Sequence, residues 1–218
     1  MLNRRNWLGR AAGAATAALA LAGLAVAAPA AEPAPDQVVR GTVDKVIAVI
    51  KVDKAVQAGD SKRIFEVVES LVLPHFNFTR MTRLAMGANW KLASAQQQDD
   101  LVREFRALLV RTYSVALKQY RDETIEVRPV KLAAGQDDVQ VRTFVNRPGA
   151  KAIAIDYDME RTPHGWKVYD VSVAGVSLVI NFRSSFDGEI RKGGVDGLIR
   201  TLAERNRGAG GTAAAARK

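Results

Sequence analysis

Apolar residues recur every three or four positions through the first half of the chain and every second position through much of the second. That change of period predicts helices followed by a sheet. From Val38 to Ala58, Val39, Val43, Val46, Ile47 and Ile50 keep helical spacing, and Gly59-Asp60 ends the run. Asp60 or Ser61 can cap the next helix, which holds Ile64, Phe65, Val67, Val68 and Leu71 until Pro74 breaks it. Asn77 can cap another, since its side-chain oxygen accepts a free backbone N–H, and Gly87 supplies the stop. Ser94-Ala-Gln-Gln97 has the form of a capping box and opens a helix reaching about Tyr120. Its apolar face carries Leu101, Phe105, Leu108, Leu109, Thr112, Tyr113, Ala116 and Tyr120, opposite Arg103, Arg106, Arg111, Lys118 and Arg121.

After Tyr120 the pattern alternates. Thr124 to Val130, Val139 to Asn146, Ile153 to Glu160 and Trp166 to Val173 read as strands, separated by turns at Gly135–Asp138, Asn146–Gly149 and Pro163–Gly165. Connections this short make an antiparallel meander with one Val/Ile-rich face and one charged face. The apolar face must be covered, and the long helix has the stripe to cover it. Residues 175–183 fit strand or helix equally. Ser184 to Ile190 reads as a helix ending near Gly193-Gly194, and Val195 to Asn206 as a last helix with Leu198, Ile199 and Leu202 on one side. The expected class is α+β: a curved antiparallel sheet of four to five strands wrapped by helices, with an apolar pocket between them.

The start of the chain is of another kind. Arg4, Arg5 and Arg10 precede an almost unbroken apolar run from Ala11 to Ala27, followed by small-x-small sites at Ala25–Ala27 and Ala28–Ala30. This is the layout of a cleaved export signal over residues 1–30; its alanine content and short core favour cleavage over a membrane anchor. Arg4-Arg5 before Trp7-Leu8 leaves the Sec and Tat export routes both open. Residues 31–206 then form a single domain, and the Gly- and Ala-rich residues 207–218 a disordered tail. There is no cysteine, hence no disulfide, thiol nucleophile or lipid-modified signal. The signal carries three of the 32 basic residues and none of the 23 acidic ones, so the remainder has 29 against 23, a net +6. Such a surface suits anionic lipid headgroups or acidic proteins; export, with the bacterial periplasm as destination, argues against nucleic acid.

Catalytic chemistry is sparse. His75 and His164 stand apart, each in a Pro-bearing corner, without the spacing of a metal site. Gly175-Val-Ser177-Leu-Val179 lacks the closing glycine of a nucleophile elbow, and Gly193-Gly-Val-Asp-Gly197 lacks the Lys-Ser/Thr of a phosphate loop. Asp156 and Asp158 share a strand face, as a carboxylate pair would, but alternation with Ile155 and Tyr157 is also what an exposed sheet face shows. A ligand cavity between the two apolar layers and a filled core both remain open.

Three stretches resemble the MlaC family of periplasmic phospholipid-shuttle proteins, also described as toluene-tolerance or ABC-transporter auxiliary proteins. They are Leu73-Pro-His-Phe-Asn-Phe through Met81, Leu84 and Met86-Gly87 to Trp90; Gln98 through Phe105, Leu108-Leu109 and Thr112-Tyr113 to Tyr120; and residues 166–206, from Trp-Lys-Val-Tyr-Asp-Val through Asn181-Phe-Arg-Ser-Ser-Phe to Ala-Glu-Arg-Asn. Asn77 stands where the family leads one to expect Asp, but both cap helices. The resemblance implies a deep apolar pocket holding the acyl chains of a phospholipid, carried as cargo and not as a cofactor. It also implies partners: an outer-membrane lipoprotein–porin complex and an inner-membrane ABC transporter with an MCE-domain subunit. Pocket candidates are Trp90, Phe105, Leu109 and Tyr113 from the helices, with Val141, Ile153, Ile155, Val171, Val173 and Leu178 from the sheet side. Ordinary core packing is the alternative for each. The competing functional readings are an exported enzyme using the same pocket and a pocketless envelope adaptor.

Overall fold

The computed structural model describes residues 32–120 and 123–208; the expected signal and residues 209–218 of the expected tail lie outside them. Helix α1 (Pro35–Val52) is shorter than the Val38–Ala58 pattern suggests. Asp53 interrupts it: its carboxylate accepts the backbone N–H groups of Ala55 and Val56 at 3.0 and 3.1 Å and starts a separate short helix, α2 (Lys54–Gln57). A short acidic side chain that bonds the following amides competes with helix continuation, a signal that apolar spacing does not carry. Asp60 caps α3 (Ser61–Val67) as expected, and a π turn at Val68–Val72 and a 3₁₀ turn at Leu73–His75 bring the chain past Pro74. Asn77 accepts Arg80 N–H at 3.0 Å and caps α4 (Phe78–Met86), which Gly87 ends at φ +55°, a backbone angle that favours glycine. A 3₁₀ turn bearing Trp90 leads to α5 (Ala95–Gln119), opened by the Ser94/Gln97 capping box.

The sheet is five-stranded and antiparallel in the order β1 (Thr124–Val127), β2 (Asp138–Asn146), β3 (Ile153–Thr162), β4 (Gly165–Val173), β5 (Val176–Ser177). Rungs Val141–Tyr157–Val171 and Thr143–Ile155–Val173 line one face, and Gln140–Asp158–Asp170 and Arg142–Asp156–Ser172 the other. The ambiguous stretch divides after Ser177. Two residues pair with β4, and α6 (Leu178–Gly208) follows, with non-helical Gly194 (φ +67°) marking a break between two helical segments. Asp170 and Ser177 fix the start of α6, accepting Val179 N–H at 3.2 Å and Ile180 N–H at 3.0 Å.

The long helix does not cover the sheet. Its stripe of Leu101, Phe105, Leu108 and Leu109 packs into a core with Met81 and Met86 of α4 and with Val179, Phe186, Leu198 and Leu202 of α6. The sheet face instead gathers Val39 of α1, backed by Val38 and Val43, over Val127, Val141, Met159, Trp166, Val168 and Val171. Helical periodicity shows that a face is buried without showing against what, and α6 offered a matching stripe. Phe76 packs against both cores. The fold is α+β: Phe76, between α3 and α4, joins the helical and sheet clusters, and a further cluster packs Val46, Ile50, Val56, Ile64 and Val67 of α1–α3 against Leu117 and Tyr120.

Candidate functional site

The apolar sheet face is the candidate site, because its register brings side chains from three strands and from the start of α6 together. Val141, Ile155, Val171, Val173 and Leu178 all belong to the sheet cluster, Val141 and Val171 buried and the others partly covered. Trp90, Phe105 and Leu109 lie elsewhere, in the helical core. Phe105 is 0 % exposed and meets the rings of Phe182 and Phe186 edge-on, with centroids 5.1 Å away. Tyr113, at 38 %, and Ile153, at 47 %, are exposed. The structure thus brings one sheet-based group together and leaves the helical candidates outside it.

Three residues of the sheet cluster and its neighbours were not singled out from the sequence as site residues: Thr143, Tyr157 and Phe76. Thr143 is fully buried, and its hydroxyl donates to the Ile155 carbonyl at 2.9 Å. Burial pushes the Tyr157 phenol up, while a hydrogen bond with Thr143 works the other way. The alternation placed Thr143 and Tyr157 on the apolar face, so a signal existed for both. Phe76 had none, because its place depends on a parallel bridge to Val168 from a distant turn. Thr143 and Tyr157 therefore bond to the sheet and to each other.

The opposite face joins the sheet to the helices. Arg80 of α4 stacks on the Tyr169 ring at 3.5 Å, pairs with Glu160, and reaches Asp138 at 2.9 Å. Asn77 donates to the same Glu160 carboxylate at 2.7 Å, so the residue that caps α4 also ties it to β3. Burial first, and then the Asp138 carboxylate, push the Tyr169 phenol up to about 12. Asp156 accepts from Arg142 and Asp158 from Gln140, both at 3.0 Å, so the two aspartates belong to a cross-strand polar ladder. His75 is held below its usual value by burial and then by Lys167 and Lys45, and His164 lies exposed in the β3–β4 turn. Among the described residues no group of three or more His, Asp or Glu side chains could hold a metal ion, and no helix is long and apolar enough to cross a membrane.

Comparison with known proteins supplies the context. Residues 40–204 match the family model described as MlaC protein. The chain is 25 % identical over 172 residues to the intermembrane phospholipid transport system binding protein MlaC of Haemophilus influenzae, covering 78 % of this chain and 80 % of that protein. It is 23 % identical over 163 residues to the toluene tolerance protein ttg2D of Pseudomonas putida, covering 74 % and 75 %. Its fold is similar to that of a phospholipid-binding protein from Ralstonia solanacearum solved in complex with a phospholipid. The TM-score is 0.74 and the identity 38 %, over 80 % of this chain and 97 % of that one.

Proposed function

The chain belongs to the MlaC family, and on that premise we propose that it carries phospholipid as cargo through the periplasm. In this reading residues 1–30 are removed on export, and residues 31–206 form one lipid-binding domain. The protein shuttles lipid between an outer-membrane lipoprotein–porin complex and an inner-membrane ABC transporter with an MCE-domain subunit, maintaining outer-membrane lipid asymmetry. No residue has a catalytic role. The observation that carries the reading is the fold match to a relative solved with phospholipid bound.

Physical chemistry says what such a carrier needs. Burying a CH₂ is worth ~0.8 kcal/mol, so two acyl chains of about fifteen methylenes each represent roughly 24 kcal/mol of gross transfer free energy. A pocket must nearly match that to draw lipid from a membrane, and must not greatly exceed it if lipid is to leave again. Val, Ile and Leu supply apolar contact without directional bonds, so they accept chains of differing length. We assign the acyl-chain contacts to the partly covered sheet group, Ile155, Val173 and Leu178 over Val141 and Val171, with Ile153 at its exposed margin and Tyr113 of α5 outside it. Trp90, Phe105 and Leu109 hold the helical core in place.

The test is mass spectrometry of lipid extracted from protein purified without detergent from an exporting bacterium. Near-stoichiometric phospholipid is expected. Ile153→Asp, at an exposed position, is expected to lower lipid content several-fold while changing stability by no more than ~0.5 kcal/mol. Protein that stays lipid-free even after mixing with liposomes and the transporter overturns the reading.

A further inference from the structure

At the corner where α1, α2 and the end of α5 meet, a cleft of about 390 Å³ opens between Ile50, Lys51, Val56, Gln57, Leu117, Lys118 and Tyr120. Its corner is held in shape. Gln57 donates its side-chain N–H groups to the Ile50 and Lys51 carbonyls at 3.0 and 2.8 Å, closing the end of α1, and Lys118 reaches the Ser61 hydroxyl at 2.8 Å. Val52 projects beside it, 77 % exposed.

Among the described residues at this corner, the carboxylates of α2 and α3 are engaged while their lysines are open. Asp53 is taken up by two backbone amides and by Arg63 at 2.7 Å, which holds its carboxyl below the usual aspartate value. Asp60 accepts the backbone N–H groups of Lys62 and Arg63 at 2.8 and 3.1 Å, and Glu66 pairs with Arg63 at 3.0 Å. Each of these carboxylates is engaged locally. Lys51, Lys54 and Lys62 are exposed and, among the described residues, form no ion pair. The lining thus sets Ile50, Val56, Leu117 and Tyr120 beside the cations Lys51 and Lys118, with exposed Lys54 and Lys62 on the adjoining helices.

We infer that this cleft docks a segment of a partner protein that presents an apolar side chain flanked by Asp or Glu. Complementary charge steers such an encounter and fixes its register, while the apolar floor supplies the buried centre of the contact. The concavity favours a protein segment over a lipid bilayer. A flat anionic surface would meet Val52 and the lysines but not the recessed floor, where Leu117 and Tyr120 keep part of their surface open above buried Ile50 and Val56. The site is separate from the sheet face assigned to lipid, so it stands whether or not that face holds cargo.

The experiment places p-benzoylphenylalanine at position 52, in place of exposed Val52, in the full chain expressed in its native host. After irradiation the adduct is digested and the attached peptide sequenced. The expected result is a peptide rich in Asp and Glu, its yield falling by about tenfold when Lys51→Glu and Lys62→Glu are combined. Lipid content of that double variant, measured alongside, is expected to stay unchanged, which separates failure of docking from failure of the carrier reading. A phospholipid adduct would give the surface to the membrane and overturn the inference. So would no protein adduct, or a protein adduct indifferent to the charge reversal.

Discussion

Phe105 sits in the helical core with two aromatic rings edge-on at 5.1 Å, whereas Ile155 and Val173, equally apolar, lie on the sheet with part of their surface uncovered. The helical core draws on α4, α5 and α6, and its stripes interlock. The sheet face is met by the first turns of α1, by Phe76 and by Leu178 at the start of α6, and at Ile153 it ends in an exposed apolar side chain. A close-packed interior has little room to yield, while a partly covered apolar surface tolerates change and keeps area free for something else. The difference teaches where to look for function: rigidity has been put into one half and adaptability into the other.

The sharpest way to break this contrast is to truncate a matched pair. Phe105→Ala is expected to destabilise the lipid-free protein by about 3–5 kcal/mol, because a fixed aromatic cluster cannot collapse into the hole. Ile155→Ala should cost only about 1 kcal/mol there, its side chain being partly in the open already. Urea denaturation of both variants measures the gap, and equal losses would erase the distinction.

A smaller effect is expected at the joint between the halves. Arg80→Ala removes the cation from Tyr169 and leaves Glu160 with Asn77 as its remaining donor, so a loss of about 2 kcal/mol is expected. If the two halves are joined chiefly here, the variant should also broaden the unfolding transition, which calorimetry resolves.

The smallest effect lies on the polar sheet face. Burial, more than the neighbouring carboxylates, raises the Asp158 carboxyl above its ordinary 3.8, with Gln140 opposing. A raised folded value means that the acid form is favoured in the native state. Its contribution to stability is therefore fully present below the ordinary aspartate value and is lost as pH rises through the raised one. Asp158→Asn, which keeps an oxygen for Gln140, should raise the unfolding midpoint at neutral pH and leave it unchanged in acid, as thermal melts across pH would show.

Much of the fold is legible in the sequence, and the reason is local. Asn77, Asp60 and the Ser94/Gln97 box act on amides within three residues, so a sequence window contains the whole interaction. The hairpins were legible for the same reason, since alternation and short turns determine neighbouring strands. What α5 packs against was not, because the choice between sheet and α6 depends on side chains far along the chain. The candidate site divides on the same line. The sheet residues share a register that alternation dictates, and they cluster; Phe105 and Leu109 sit on an apolar stripe whose partner no local pattern names. Asp53 shows the limit at short range, where one carboxylate ended a helix that apolar spacing would have continued.

One long-distance contact has a consequence for how the molecule comes into being. Asn206, near the end of α6, donates to the Glu104 carbonyl on α5, 102 residues earlier, and Leu202 completes the same interior. No N-terminal portion of the chain can close that interior. Pairings this remote slow the search for the native state, because the loop entropy is lost before the contact forms. A chain threaded from its first residue onward must therefore wait, apolar helices uncovered, until almost its last turn is available. During that interval it is a client for whatever holds unfolded polypeptides, and a truncation that removes the last turns of α6 should leave aggregates and not a smaller folded protein.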